Sequence, residues 1–307
     1  MYHLDPHSHP RPIKMLPHNI VFKTLLREIP EAELRRTQNT PHFTGGFGDV
    51  WKCTWPTSNP PLTVAIKVVR VADSDKTASV ERTALSIRRE AYVWANLEDD
   101  HVLPLHGITT GFGVLPAFVS SWMTNGSLEN YLKDAPTLST SQKLDMSRQI
   151  ASGLKYLHEK GIVHGDLTPT NVLIDSDKKL LLSDFGLSMV LAESGNPTFN
   201  SYHAGNVRWM APEMVEELAR PTMPADVYSH GCIVLQLLCG EQPYSWAAQA
   251  IHVITAMLRG RKPFGPLTDV DEDHKKYWLK CLSAECQDRP EVTGIVAFIE
   301  TELQKLR

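Results

Sequence analysis

The feature that most constrains how this chain folds is a pair of short runs whose side chains have to meet. His164-Gly165-Asp166-Leu167-Thr168-Pro169-Thr170-Asn171 reads H-x-D-x4-N, and Asp184-Phe185-Gly186 begins thirteen positions after Asn171. Asp-Phe-Gly alone arises easily by chance. The two runs in this order and spacing do not. Phosphoryl transfer from ATP needs an acid–base carboxylate beside the attacking hydroxyl and oxygen ligands for magnesium on the phosphates. Two loops carrying these residues supply both, with Asp166 the candidate base or positioner and Asn171 and Asp184 the candidate metal ligands.

Upstream residues add what such a site needs. Thr44-Gly45-Gly46-Phe47-Gly48-Asp49-Val50 predicts a hairpin in which Gly45 and Gly48 let backbone approach phosphate oxygens while Phe47 caps the tip. From Leu62 to Val69 the residues alternate, with Leu62, Val64, Ile66 and Val68 on one face and Thr63, Ala65, Lys67 and Val69 on the other. A small residue beside a cation on one face suits a nucleotide lying flat there; a strand lysine standing alone would be read as merely exposed. Val80, Ala84, Ile87, Ala91 and Trp94 recur at helical spacing. Glu90 borders that stripe, where a carboxylate needs a counter-charge to offset its desolvation. Strand patterns with one helix fill residues 40 to 122. From 124 onward the pattern is mostly helical, and Met146, Ile150, Leu154 and Leu157 mark the buried stripe of a long helix ending at Gly161.

Ala211-Pro212-Glu213, Asp226 and Arg289 follow in order. With the motifs above they resemble the eukaryotic protein kinase family over about residues 40 to 305. Pro169 leans toward serine/threonine enzymes, and Arg208-Trp209-Met210 before Ala211 toward tyrosine branches. The mixture is most similar to the tyrosine-kinase-like group and its divergent fungal-type members.

The resemblance implies an α+β, bilobal protein kinase-like fold: an N-terminal extension over 1–38, a strand-rich N-lobe over 39–123, and a helical C-lobe over 124–307. ATP and Mg2+ would occupy the cleft. Lys67 would hold the α- and β-phosphates and Glu90 would hold Lys67. Gly45, Gly46, Phe47, Gly48, Val50, Ala65, Ser120 and Trp122 would line the nucleotide site, Ser120 guarding its back pocket. His164 and Phe185 are expected to pack, Asp226 to bond the catalytic-loop backbone, and Glu213 to pair with Arg289. The implied reaction is transfer of the γ-phosphoryl group to a hydroxyl of a protein substrate, Ser/Thr ahead of Tyr.

Four residues depart from the family pattern. Phe43 stands where a glycine is usual, Gly165 where many kinases have arginine, Thr168 in place of lysine, and Asn206 in place of threonine. Without an arginine at 165, phosphorylation at Thr198, Ser201 or Tyr202 is expected to be dispensable for activity. Thr168 and Asn206 are expected to form a compensating polar pair. The departures also support a competing reading, a pseudokinase scaffold that binds nucleotide or partners with little transfer. A small-molecule kinase is disfavoured by Ala211-Pro212-Glu213, Asp226 and Arg289.

Composition bounds the remaining classes. A net charge of −4 and a pI near 6.3 give no support for a nucleic-acid-binding surface. No apolar run approaches the ~20 residues of a bilayer span, and Gly231 to Cys239, the densest, suits a buried helix. Five cysteines, odd in number and without a C-x-x-C pair, favour reduced thiols. A cytoplasmic location with a possible nuclear pool is the expectation. Residues 1 to about 20 mix proline and histidine as a tail, and Val21 to Leu34 reads as an amphipathic segment broken at Pro30.

Overall fold

A computed structural model describes residues 25–45, 48–70, 77–134, 137–185, 206–215, 220–267 and 270–307. Six strands make one antiparallel sheet in the order β1-β3-β4-β6-β5, with β2 on β3. They are β1 (Arg35–Arg36), β2 (Phe43–Gly45), β3 (Gly48–Trp55), β4 (Leu62–Val69), β5 (Leu105–Thr109) and β6 (Ala117–Ser121). The alternation in β4 is real: Val64 and Ile66 are fully buried on one face, while Ala65 and Lys67 stay half-buried on the other. Register extends that second face. Val50 and Phe118 lie opposite Lys67, and Lys52 and Ser120 opposite Ala65. Opposed residues of an antiparallel pair share a face, so Val50, Lys52, Ala65, Lys67 and Ser120 form one surface.

Helix α1 (Thr77–Trp94) buries Ile87, Ala91 and Trp94, as the spacing predicts. The segment before the sheet packs against the strand-rich layer. Its described part, from residue 25, is extended up to Pro30 and then makes a single 3-10 turn at Glu31–Glu33: Ile29 N–H donates to the Ile108 carbonyl at 2.8 Å and Ile108 N–H to the Arg27 carbonyl at 2.9 Å. Pro30 disfavours helical backbone at Ile29, and the open edge of β5 offers backbone partners that a short helix would not have. Ile29 and Leu34 are buried under the sheet with Trp55 and Ala117. Part of the 1–38 extension therefore belongs to the strand-rich layer, as does β1.

The second half is helical, through α2 (Leu128–Asp134), α3 (Thr140–Glu159), α4 (Met223–Cys239), α5 (Ala250–Leu258), α6 (Glu272–Cys281) and α7 (Val292–Lys305). A capping box starts α3: Ser139 accepts from Gln142 N–H, and the Gln142 side chain accepts from Ser139 N–H. Leu144, Ile150, Leu154 and Leu157 of α3 are fully buried, as are Cys232 to Leu235 of α4. The apolar run at 231–239 is thus the central helix of this half. No helix among the described residues is long and apolar enough to cross a membrane.

A two-stranded ladder, β7 (Val172–Ile174) with β8 (Leu180–Leu182), accounts for the thirteen-residue spacing. Val172 pairs with Leu182, so the chain enters the ladder from Asn171 and leaves it toward Asp184 at the same end. Ser183 locks the two strands' outer ends, donating from its N–H at 2.9 Å and its hydroxyl at 3.0 Å to the Asn171 carbonyl.

Candidate active site

The catalytic loop hangs from α4. Asp226, in its first turn, accepts from the backbone N–H groups of His164 and Gly165 at 2.8 Å each and from His158 Nε2 at 2.9 Å. Gly165 sits at φ 78, in the left-handed region where glycine is least strained. His164 is buried, and that burial lowers its pKa. Its ring packs 6.3 Å from Phe185, which in turn lies edge-on 5.3 Å from Trp94 of α1. Both rings are packing groups, as expected, and they tie the loop to the helix that carries half-buried Glu90.

Asp166 is the focus of the site. It is buried, and two amides hold it. Asn206 Nδ2 lies 2.9 Å from Oδ1 and 3.1 Å from Oδ2, while Asn171 Nδ2 donates to Oδ2 at 2.5 Å and to the Asp166 carbonyl at 2.8 Å. Burial pushes the Asp166 pKa well above the usual carboxylate range; the Asn206 amide pulls it down, and the nearby Asp184 charge pushes it up again.

The turn Val207–Trp209 fixes Asn206 in place. Trp209 Nε1 donates to Gln236 Oε1 at 2.9 Å. The Arg208 guanidinium donates to the carbonyls of Pro243, Tyr244 and Ala247. The expected Thr168–Asn206 pair is not formed. Thr168 Oγ1 instead bonds Thr170 Oγ1 at 2.7 Å. The Asn206 amide reaches the Asp166 carboxylate, and hydrogen bonds to an ionised acceptor are the stronger ones.

Across the cleft, Lys67 Nζ lies 2.6 Å from Asp184 Oδ2, with both side chains largely buried. Lys67, Asp166, Asn171 and Asp184 therefore converge, as the motifs predict. Val50, Ala65 and Ser120 lie on the sheet face that carries Lys67.

The two described glycines of the hairpin have different reasons to be glycine. At Gly48, φ is +140 and a Cβ would lie 1.8 Å from the Val68 carbonyl oxygen, so the strand pairing itself forbids a side chain. At Gly45 nothing lies within 4 Å of a Cβ, so the space above it is open. Gly46, Phe47, Gly186, Thr198, Ser201 and Tyr202 lie outside the described residues.

An aromatic cluster that the motifs do not predict closes one side of this region. Phe43 stacks on Trp122 with centroids 6.2 Å apart and planes 10° apart, and His42 meets both rings edge-on at 4.7 and 4.8 Å. Lys52 Nζ sits 4.8 Å above the Trp122 ring. The residue that replaces a glycine thus latches the hairpin to the segment after β6. An aromatic on β2 opposite Val50, together with an aromatic two positions beyond Ser120, was the available signal.

The donor set fits a hydrated Mg2+ ion. Such an ion is held through one or two protein oxygens plus phosphate oxygens and water. Asp184 offers a carboxylate already beside a cation, and Asn171, its Nδ2 committed to Asp166, has its amide oxygen left to offer.

A family model described as protein tyrosine and serine/threonine kinase matches residues 43–299. The chain belongs to this family. Among curated relatives, the human tyrosine-protein kinase FRK is 28% identical over 254 residues, 80% of this chain and 47% of the relative. The mouse serine/threonine-protein kinase A-Raf is 27% identical over 281 residues, 89% of this chain and 44% of the relative. The rat A-Raf matches equally. The chain spans less than half the length of these relatives. The family's scaffold ties are present too: Arg289, its side chain fully buried, makes a two-pronged pair with Glu213 at 2.6 and 2.8 Å.

Proposed function

We propose that this chain is an active protein kinase that passes the γ-phosphoryl group of ATP to a protein hydroxyl, serine or threonine in preference to tyrosine. The observation that carries the reading is the hold on Asp166. A buried carboxylate gripped at both oxygens by Asn206 and Asn171 is costly to keep for packing alone. It is well suited to orient a hydroxyl and take its proton, and burial, which raises its pKa above the ordinary carboxylate range, makes the ionised form a stronger base.

Lys67 holds the α- and β-phosphates in this reading, with Glu90 steadying its ammonium group. The adenine lies against Ala65 and Val50, bounded by Ser120 behind and Trp122 in front. Open space above Gly45 admits phosphate oxygens to the backbone. Magnesium, when bound, neutralises phosphate charge, and Asn171 and Asp184 are the residues that would hold it. Thr168 brings no cation to the γ-phosphate, so turnover is expected to be slow while nucleotide binding is retained. Pro169 in the catalytic loop and the likeness to A-Raf support the serine/threonine preference; the likeness to FRK is the counterweight.

The test incubates the protein with radiolabelled ATP, Mg2+ and generic protein substrates and hydrolyses the products for phosphoamino acids. Label in phosphoserine or phosphothreonine supports the reading, and label in phosphotyrosine overturns the residue preference. ATP binding without transfer makes the chain a scaffold.

A further inference from the structure

A groove of about 790 Å3, with Pro212 in its lining, opens between α6 and the turn after α5. Arg261, Lys262, Lys276 and Lys280 line it, against a single carboxylate, Asp288. That balance is unusual for a chain whose net charge is −4. All four cations are exposed, and among the described residues Lys262, Lys276 and Lys280 enter no ion pair. Arg261 is steadied in the groove wall by its stack on Trp246, 5.5 Å from the ring centre. Met257 and Leu282 give the groove apolar patches between the charges.

We propose that this groove docks a carboxylate-rich, extended segment of a partner protein. Lys276 and Lys280 are four residues apart on α6, which sets them about 6 Å apart along one helix face. Alternate side chains of an extended peptide repeat at about 6.6 Å. Successive outward carboxylates can therefore meet successive lysines, while Arg261 and Lys262 face the segment from the other wall. Apolar side chains interleaved with the acids would reach Met257 and Leu282. A site of this kind captures its partner by charge and is weakened by salt. Nothing in it depends on phosphoryl transfer.

The experiment measures binding of a fluorescein-labelled octaglutamate peptide to the whole chain by anisotropy at low salt. Three proteins are compared: wild type, Lys276→Glu/Lys280→Glu, and an equal-charge control on distant surfaces, Arg35→Glu/Lys133→Glu. The groove variant is expected to bind at least about tenfold more weakly, the control within about twofold of wild type. Lys276→Gln/Lys280→Gln, which adds no repulsion, is expected to fall between. The proposal is overturned if both charge-reversal variants lose equally, which would mean that the peptide senses only overall charge. It is also overturned if wild type binds octaglutamate no better than octaglutamine.

Discussion

Replacing Asn206 with alanine removes the amide that touches both oxygens of Asp166, while Asn171 keeps its own bond to Oδ2. The carboxylate loses one of its two amide holders and keeps its burial. A hydrogen bond to a charged group contributes about 1.5–3 kcal/mol. At ~1.4 kcal/mol per decade, kcat/KM is expected to fall roughly tenfold to hundredfold. The pH profile gives a sharper readout. Burial already raises the Asp166 pKa, and Asn206 pulls it down by favouring the charged form. Without Asn206 the pKa rises further, so more acid is protonated at a given pH. The acid limb of kcat/KM against pH should move to higher pH, and the variant should recover part of its rate as pH is raised. Steady-state kinetics from pH 5.5 to 9 test this, with ATP affinity measured on the same preparations. A merely structural role for Asn206 would lower activity at all pH values alike. An unmoved acid limb with kcat/KM within about twofold of wild type would refute the reasoning.

The hairpin and the scaffold give further tests. Phe43→Ala dissolves the stack on Trp122, a contact of about 0.5–1.5 kcal/mol, and should speed release of a fluorescent ATP analogue about two- to tenfold in stopped flow; an unchanged release rate would leave the latch without a role. Gly48→Ala should lower Tm, because its Cβ meets the Val68 carbonyl at positive φ; Gly45→Ala should leave Tm unchanged yet weaken ATP binding in calorimetry. Glu213→Gln leaves the buried Arg289 guanidinium facing a neutral partner and should cost about 2–3 kcal/mol in urea unfolding, less than the ~3–5 of a wholly buried pair because Glu213 keeps some exposure. Burial alone would raise the Glu213 pKa, but its bonds to Arg289 and that residue's charge hold it below the ordinary value. Its contribution is therefore present above the unfolded pKa of about 4.3 and drains away as pH falls through the lower folded value. The difference between wild type and Glu213→Gln should shrink in that acid range.

Much of the site is legible in the sequence because its residues sit in local patterns. Strand alternation alone puts Ala65 and Lys67 on one face, and the spacing from Asn171 to Asp184 is the length of one short ladder. Contacts between distant segments are harder to read. Asn206 is forty residues from Asp166, and only the anchoring of Arg208 and Trp209 on the helical half aims its amide at that carboxylate. Spacing gives no reason to prefer that acceptor over Thr168. Phe43 meets Trp122 only because β2 pairs with β3 in a register that faces the cleft. The stretch before the sheet reads in the sequence only as an amphipathic segment broken at Pro30: its apolar residues fit either period, and the free edge of β5 decides in favour of extended backbone up to that proline.

The central claim is that Asp166 serves the chemistry of transfer and not the binding of nucleotide. Single-turnover transfer from radiolabelled ATP to a protein substrate, compared between wild type and Asp166→Asn at saturating ATP and Mg2+, tests it most directly. The account predicts a rate lower by about 10²–10⁴ in the variant, with ATP affinity within about twofold. Equal rates in the two proteins, or ATP bound by both and transferred by neither, would contradict it.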